Sequence, residues 1–93
     1  MFWPNPKDVN TTDRYGVTVD SDWLGDESIV SATFTPSTAS GLTVSVPVIE
    51  GNVFSAFFSD GVEGLFYVHL RITTATRSFE RNLGIWVKDY SIT

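Results

Sequence analysis

Phe66-Tyr67-Val68-His69-Leu70-Arg71-Ile72 alternates between two kinds of side chain without a break. Side chains of a β-strand point to opposite faces with period two, so the stretch reads as a strand with Phe66, Val68, Leu70 and Ile72 inside and Tyr67, His69 and Arg71 outside. The segment that follows continues the pattern. Phe79, Leu83, Ile85 and Val87 share one parity; Ser78, Glu80, Asn82, Gly84, Trp86 and Lys88 share the other, and Arg81 is the misfit. A hairpin with Ile72 opposite Phe79 sets Val68 against Leu83 and Phe66 against Ile85 on the inner face. On the outer face it sets Arg71 against Glu80, His69 against Asn82 and Tyr67 over Gly84. A slip of one residue would turn every inner side chain outward, so both faces specify the same register. Arg81, charged on the inner parity, fits a bulge or a position at the rim of the fold more simply than an interior ion pair.

Working outward, short runs rich in Val, Ile, Thr and Phe are punctuated by Gly, Asp, Ser and Pro, which predicts strands over residues 15–19, 29–34, 42–49, 53–59, 65–73 and 78–88. Leu42, Val44, Val46 and Val48 form a further inward set, and Pro47, with no N–H to give a ladder, places that strand at an edge. Residues 20–27 suggest one helical turn around Trp23 and Leu24, and Asp60-Gly61-Val62-Glu63-Gly64 suggests a hairpin-like turn. Six to seven short strands with one-sided patterning imply an all-β, immunoglobulin-like antiparallel β-sandwich rather than a closed barrel. The cysteine pair of antibody domains is absent. Residues 1–13, with two prolines and Asn10-Thr11-Thr12-Asp13, suit an extended N-terminal arm, leaving 14–93 as the single sandwich domain.

Ninety-three residues with 42% apolar and 14% aromatic side chains suffice for one cored domain. There is no cysteine, so neither disulfides nor thiolate metal sites hold it together. A net charge of −5 repels a nucleic-acid backbone, and no segment has the length or flanks of a membrane span or a secretion signal, so nucleic acid and membrane are not expected partners.

Each candidate for chemistry has a simpler structural explanation. His69 is the sole histidine, and the alternation points it outward beside Asn82, with no converging partners. Asp20, Asp22, Asp26 and Glu27 could offer oxygens to calcium, but the full calcium-loop pattern is missing, and a turn whose side chains bond local amides explains the same residues. No serine or threonine has a base beside it, and Gly61 and Gly64 do not form a phosphate loop. No catalytic, cofactor or metal residue is assigned. Two aromatic sets point to protein contacts instead. Tyr67 and Trp86 lie diagonally on one outer face, with Phe57 as a candidate third member. Phe2, Trp3, Pro4 and Pro6 give the arm an apolar tip that either clips into a neighbour or folds back on its own domain.

Blocks along the chain resemble a known family. Trp3-Pro4, Pro6-Lys7-Asp8, Asp13-Arg14-Tyr15-Gly16-Val17 and Asp22-Trp23-Leu24-Gly25-Asp26-Glu27-Ser28-Ile29-Val30-Ser31 look like the opening of the phage fiber-tail adaptor proteins, and Arg71-Ile72-Thr73-Thr74-Ala75 with Arg77-Ser78-Phe79-Glu80-Arg81 looks like their close. The resemblance runs from about Trp3 to Lys88 and is loose between Ser37 and Val62. It implies a small immunoglobulin-like virion protein, made in the bacterial cytoplasm and present in several copies in a symmetric neck or tail assembly. Its partners would be other phage virion proteins, with tail machinery joined to fibers or neighbouring components. It carries no catalytic residues or cofactors. Tyr15, Trp23, Leu24 and Ile29 are implied fold residues, and the arm an assembly contact. The alternatives are a carbohydrate-binding module, with sugars stacked on Tyr67, Trp86 and Phe57, and a capsid-decoration protein.

Overall fold

In the computed structural model, which describes residues 3–90, Ile72 stands opposite Phe79, Val68 opposite Leu83 and Phe66 opposite Ile85. The outer pairs Arg71–Glu80, His69–Asn82 and Tyr67–Gly84 follow in the same ladder. Along the described residues the strands are β1 (Lys7–Asp8), β2 (Asp13–Thr18), β3 (Ser31–Pro36), β4 (Leu42–Val44), β5 (Val48–Glu50), β6 (Val53–Asp60), β7 (Gly64–Thr73) and β8 (Ser78–Lys88). One sheet runs β1-β8-β7-β3. The other runs β2-β6-β4, with β5 also on β6. Lettered in chain order with β2 as B, and with β4 and β5 as one broken strand D, the sheets are BED and GFC, which is the arrangement of the immunoglobulin sandwich. All strand pairs are antiparallel except β1 with β8, which is parallel.

The inner faces meet in one core. Phe54, Phe58, Val68, Ile72, Ile85 and Val87 are fully buried, and Tyr15, Leu24 and Ile29 nearly so. The helical turn is present as α1 (Ser21–Leu24), capped by the Asp20 carboxylate, which accepts from the Asp22 amide at 2.8 Å. Trp23 packs on Phe79 with ring centroids 5.1 Å apart.

Two features differ from the sequence reading. The stretch 42–49 is two strands. From Val44 to Val48 the edge advances four residues while its partner goes from Phe58 to Ser55, three, so one extra residue forms a bulge. Ser45 anchors it by donating its amide to the Phe57 carbonyl and accepting the Phe57 amide at its hydroxyl, each at 2.9 Å. The bulge reverses the side-chain parity. Leu42 and Val44 face the core as expected, but Val46 is 85% exposed, Val48 is exposed, and Ile49 takes the inward place. The segment 60–64 is not a hairpin turn but a crossover, because β6 and β7 belong to different sheets. Its sharp path requires positive φ at Asp60 (59°) and Gly61 (104°), a conformation glycine tolerates without strain.

The first residues are extended and lie against the sandwich. The Trp3 amide donates to Gly84 O at 3.1 Å and its indole Nε1 to Gly16 O at 3.0 Å, so one residue ties the edges of both sheets. Its ring is 8% exposed and sits 4.9 Å from Tyr15 and 5.4 Å from Phe58. The Tyr15 hydroxyl in turn donates to Asn5 O at 2.9 Å. Lys7 is 0% exposed; its Nζ donates to Asp8 O at 2.7 Å and to Asp60 O at 2.8 Å, which fixes β1 to the crossover. Burial lowers the Lys7 pKa, opposed by the charges of Asp13, Asp60 and Asp8.

Trp3→Ala should therefore lower the unfolding free energy by about 3–5 kcal/mol, the range for removing a large buried aromatic, as read by urea denaturation. A loss within about 0.5 kcal/mol would mean the ring contributes nothing to the fold. Burial, followed by the charges of Asp13 and Tyr90, pushes the Tyr15 hydroxyl up to about 12 from 10.0. Above pH 10 the unfolded chain loses this proton while the native state keeps it, so stability falls as pH rises toward 12. Lys7 acts in the opposite sense, since its lowered pKa makes stability rise with pH up to its unfolded value. Comparison of wild type with Tyr15→Phe cancels the Lys7 contribution. The gap between them should narrow from pH 10 to 12 by up to about 1.4 kcal/mol per pH unit, whereas a constant gap would place the Tyr15 pKa near its ordinary value.

Candidate assembly surfaces

β7 and β8 carry the outer face of the GFC sheet, and their register decides which side chains meet there. Leu65 stands opposite Trp86 and Tyr67 opposite Gly84, so the three large side chains occupy the end of the hairpin nearest the crossover. Tyr67 is 59% exposed and Trp86 50%, and Leu65 is exposed beside them. Gly84 contributes no side chain and is buried, and Lys88 places its Nζ 4.5 Å from the centre of the Trp86 ring. Leu65 was not singled out from sequence, although it shares the parity of Tyr67; its position at the predicted strand boundary hid it.

Farther along the same face the residues become polar. His69 Nδ1 lies 3.0 Å from Asn82 Oδ1 and Nε2 3.2 Å from Glu80 Oε1. Both ring nitrogens can donate only in the imidazolium form, so Asn82, and then Glu80, raise the His69 pKa above its ordinary 6.5. A solvated ring held this way is a surface ion-pair partner of Glu80. Among the described residues no three His, Cys, Asp or Glu side chains stand together as a metal site.

Phe57 is 50% exposed but does not join Tyr67 and Trp86. It belongs to β6, between buried Ala56 and Phe58, and so points out of the BED sheet on the opposite side of the sandwich. Its neighbours there are Arg14, which stands opposite it, and the exposed Val46 and Val48 of the bulged edge. Arg14 Nε donates to Ser55 Oγ at 2.9 Å, which lays its stem flat on this face. Of the arm residues, Trp3 is core, Pro4 is exposed and Pro6 half-buried, while Phe2 lies outside the described residues. Burial of Trp3 within its own chain takes that ring away from a neighbour.

The blocks that are far apart in sequence meet in space. Arg77, after the turn between β7 and β8, stacks its guanidinium 4.4 Å from the centre of the Trp23 ring. It pairs with Glu27 Oε2 at 2.7 Å and donates to the carbonyls of Trp23 at 2.7 Å and Leu24 at 3.2 Å, the end of α1. Glu27 also accepts from the hydroxyls of Thr76 and Thr74. Thr76, then Arg77, hold its carboxyl below the usual range. The acidic loop is thus tied to the hairpin by Glu27 and capped by Asp20.

The model of the podophage GP4 fiber-tail adaptor protein gp77 family matches residues 7–86, most of the 93-residue chain. The chain belongs to that family. Its members are phage structural proteins by description, and the matched span takes in the buried Lys7, the Glu27–Arg77 contact and both exposed aromatic faces, up to Trp86 itself. No curated protein matches the chain.

The His69 geometry makes a direct prediction. In a nuclear magnetic resonance titration the imidazole should titrate above 6.5, and Asn82→Ala should bring it back toward that value, because the first of its two acceptors is gone. An unchanged pKa in the variant would mean that Asn82 does not hold the ring. The stabilisation from this contact is complete below the unfolded pKa of the imidazole and is lost as pH rises through the folded one.

Proposed function

We propose that this chain is a non-catalytic adaptor in the virion of a podophage, joining tail machinery at the neck or tail to fibers or neighbouring components. The observation that carries the reading is the presence of two apolar surfaces on opposite sides of one rigid sandwich, within a chain of the fiber-tail adaptor family. A bridging protein needs two contact areas that do not overlap. Leu65, Tyr67 and Trp86 form one, and Phe57 with Val46 and Val48 forms the other. Tyr and Trp are the residues that most often dominate protein interfaces, since they bury large area at little entropic cost. Exposed Pro4, beside the docked Trp3, borders the same side as the first strand and is available to a neighbour.

Several copies arranged symmetrically would make such contacts effective even if each were weak, because avidity multiplies modest affinities. The acidic balance favours protein over nucleic-acid partners. One observation favours a second reading: Tyr67 stands open next to His69 and Asn82, with Trp86 across the hairpin, the mixture of rings and polar groups on which sugars stack.

Trp86→Ala and Phe57→Ala should each leave the protein folded, with stability changed by less than about 1 kcal/mol, since both side chains are half-exposed. Each should weaken one contact of the assembled tail by about thirtyfold or more, the loss expected at an aromatic anchor, and each should affect a different neighbour. Copies counted in cryo-electron maps of particles carrying each variant make the measurement. Wild-type occupancy for both variants would sink the proposal. Specific retention of the monomer on a glycan array, abolished by Trp86→Ala, would replace it with the sugar-binding reading.

A further inference from the structure

On the side of the sandwich where the first strand lies, the described residues leave part of the opening between the sheets uncovered. Trp3 and Val9 donate their amides to Gly84 O and Lys88 O, so the even-numbered residues of β8 turn backbone groups away from β7. β1 pairs with Val87 and Lys88. Ser78, Glu80 and Asn82 have the same parity, and no strand lies beside them among the described residues. Opposite them, β2 is the outer strand of the other sheet. The cleft between these two edges is lined by Val17, Val19, Trp23, Phe79, Leu83 and, at its rim, Arg81.

We infer that this cleft accepts an extended segment of a partner chain, which adds to the sheet beside Ser78–Asn82 and places apolar side chains between the sheets and an acidic one on Arg81. The inference rests on the adaptor reading and names how one partner attaches. Unpaired strand edges are templates for a further strand; main-chain bonds supply affinity and alternate side chains supply selectivity. Alternation fits this site, because the odd-numbered Phe79 and Leu83 face the cleft while Glu80 and Asn82 face outward. Charge selects the partner. Arg81 is exposed, stacks 4.1 Å from the centre of the Phe79 ring, donates to the Glu80 carbonyl at 2.9 Å, and has no carboxylate within salt-bridge distance among the described residues. Asp20 carries the opposite charge on the other rim, where it accepts the amide of Asp22. The cleft thus has one charge of each sign at its two rims, and an acidic residue flanked by apolar ones complements the Arg81 side, away from Asp20.

The probe is a synthetic peptide of alternating isoleucine and threonine with a single glutamate, titrated into the isotope-labelled full chain and followed by amide chemical shifts. The expected result is saturable shifts confined to residues 17–20 and 78–83. Arg81→Glu should weaken binding by about fivefold or more, and a peptide with lysine in place of glutamate should restore it. Absence of saturable shifts at millimolar peptide would overturn the inference, as would shifts centred on Tyr67 and Trp86. So would two other occupants: a concentration-dependent dimer with shifts at the same residues would assign the cleft to a second copy, and binding that appears only after deletion of Met1 and Phe2 would assign it to the chain's own terminus. Tail occupancy of Trp86→Ala and Phe57→Ala particles tests the adaptor reading through other residues, so either result can fail alone.

Discussion

The core of this protein and the outer face of one of its sheets depend on the register between β7 and β8. Ten residue pairs are fixed by one choice, Ile72 opposite Phe79, and that choice fills the core and composes the outer face together. Inside, Val68, Leu70, Ile72, Leu83 and Ile85 become the floor on which the second sheet rests. Outside, a glycine falls opposite Tyr67 and a leucine opposite Trp86, which gathers the rings at one end and leaves His69, Glu80 and Asn82 at the other. Because the period of a strand is two, a slip of one residue would reverse both faces at once.

The second sheet and the helical turn attach to that hairpin by polar contacts that also fix chain direction. Arg77 satisfies two carbonyls at the end of α1 while it stacks on Trp23, so a loop with several acidic residues is held where its apolar pair, Trp23 and Leu24, enters the core. At the other end Lys7 is buried with its charge bonded to two main-chain carbonyls. A buried ammonium is tolerated only with such partners, and here they belong to the first strand and to the crossover between sheets.

Much of this was legible in the chain because alternation is a local signal. The hairpin register and the turn at Trp23 follow from neighbours in sequence; the rim was one of two places open to Arg81, and the inward Tyr15 is implied only by the family resemblance. What escaped was set by residues distant in sequence. The bulge after Val44 adds one residue against Phe57 and Ala56, which reverses parity at Val46 and Val48, and no feature of Leu42 to Ile49 other than Pro47 marks the site. Phe57 shares its parity with no visible partner, so only the assignment of β6 to the far sheet separates it from Tyr67 and Trp86. Lys7 reads as an exposed arm residue because its two acceptors include a carbonyl of Asp60, which sequence spacing does not bring near. The arm itself presented two possibilities, and Trp3 folds back because the outer edges of β8 and β2 leave the carbonyls of Gly84 and Gly16 available to accept from it.

The parallel pairing of β1 with β8 has a mechanical consequence. The two strands come from opposite ends of the chain and run side by side in the same direction. Tension applied at the two ends pulls β1 backward and β8 forward along a common axis. The bonds at Gly84 and Lys88, the ladder at Val87 and the grip of Lys7 are then loaded together in shear rather than opened one after another like a zipper. Load shared across several bonds resists rupture far better than the same bonds in sequence. A domain wired in this way keeps its shape when pulled by its two ends, and transmits the force through β1 and β8 while the remaining strands carry little of it.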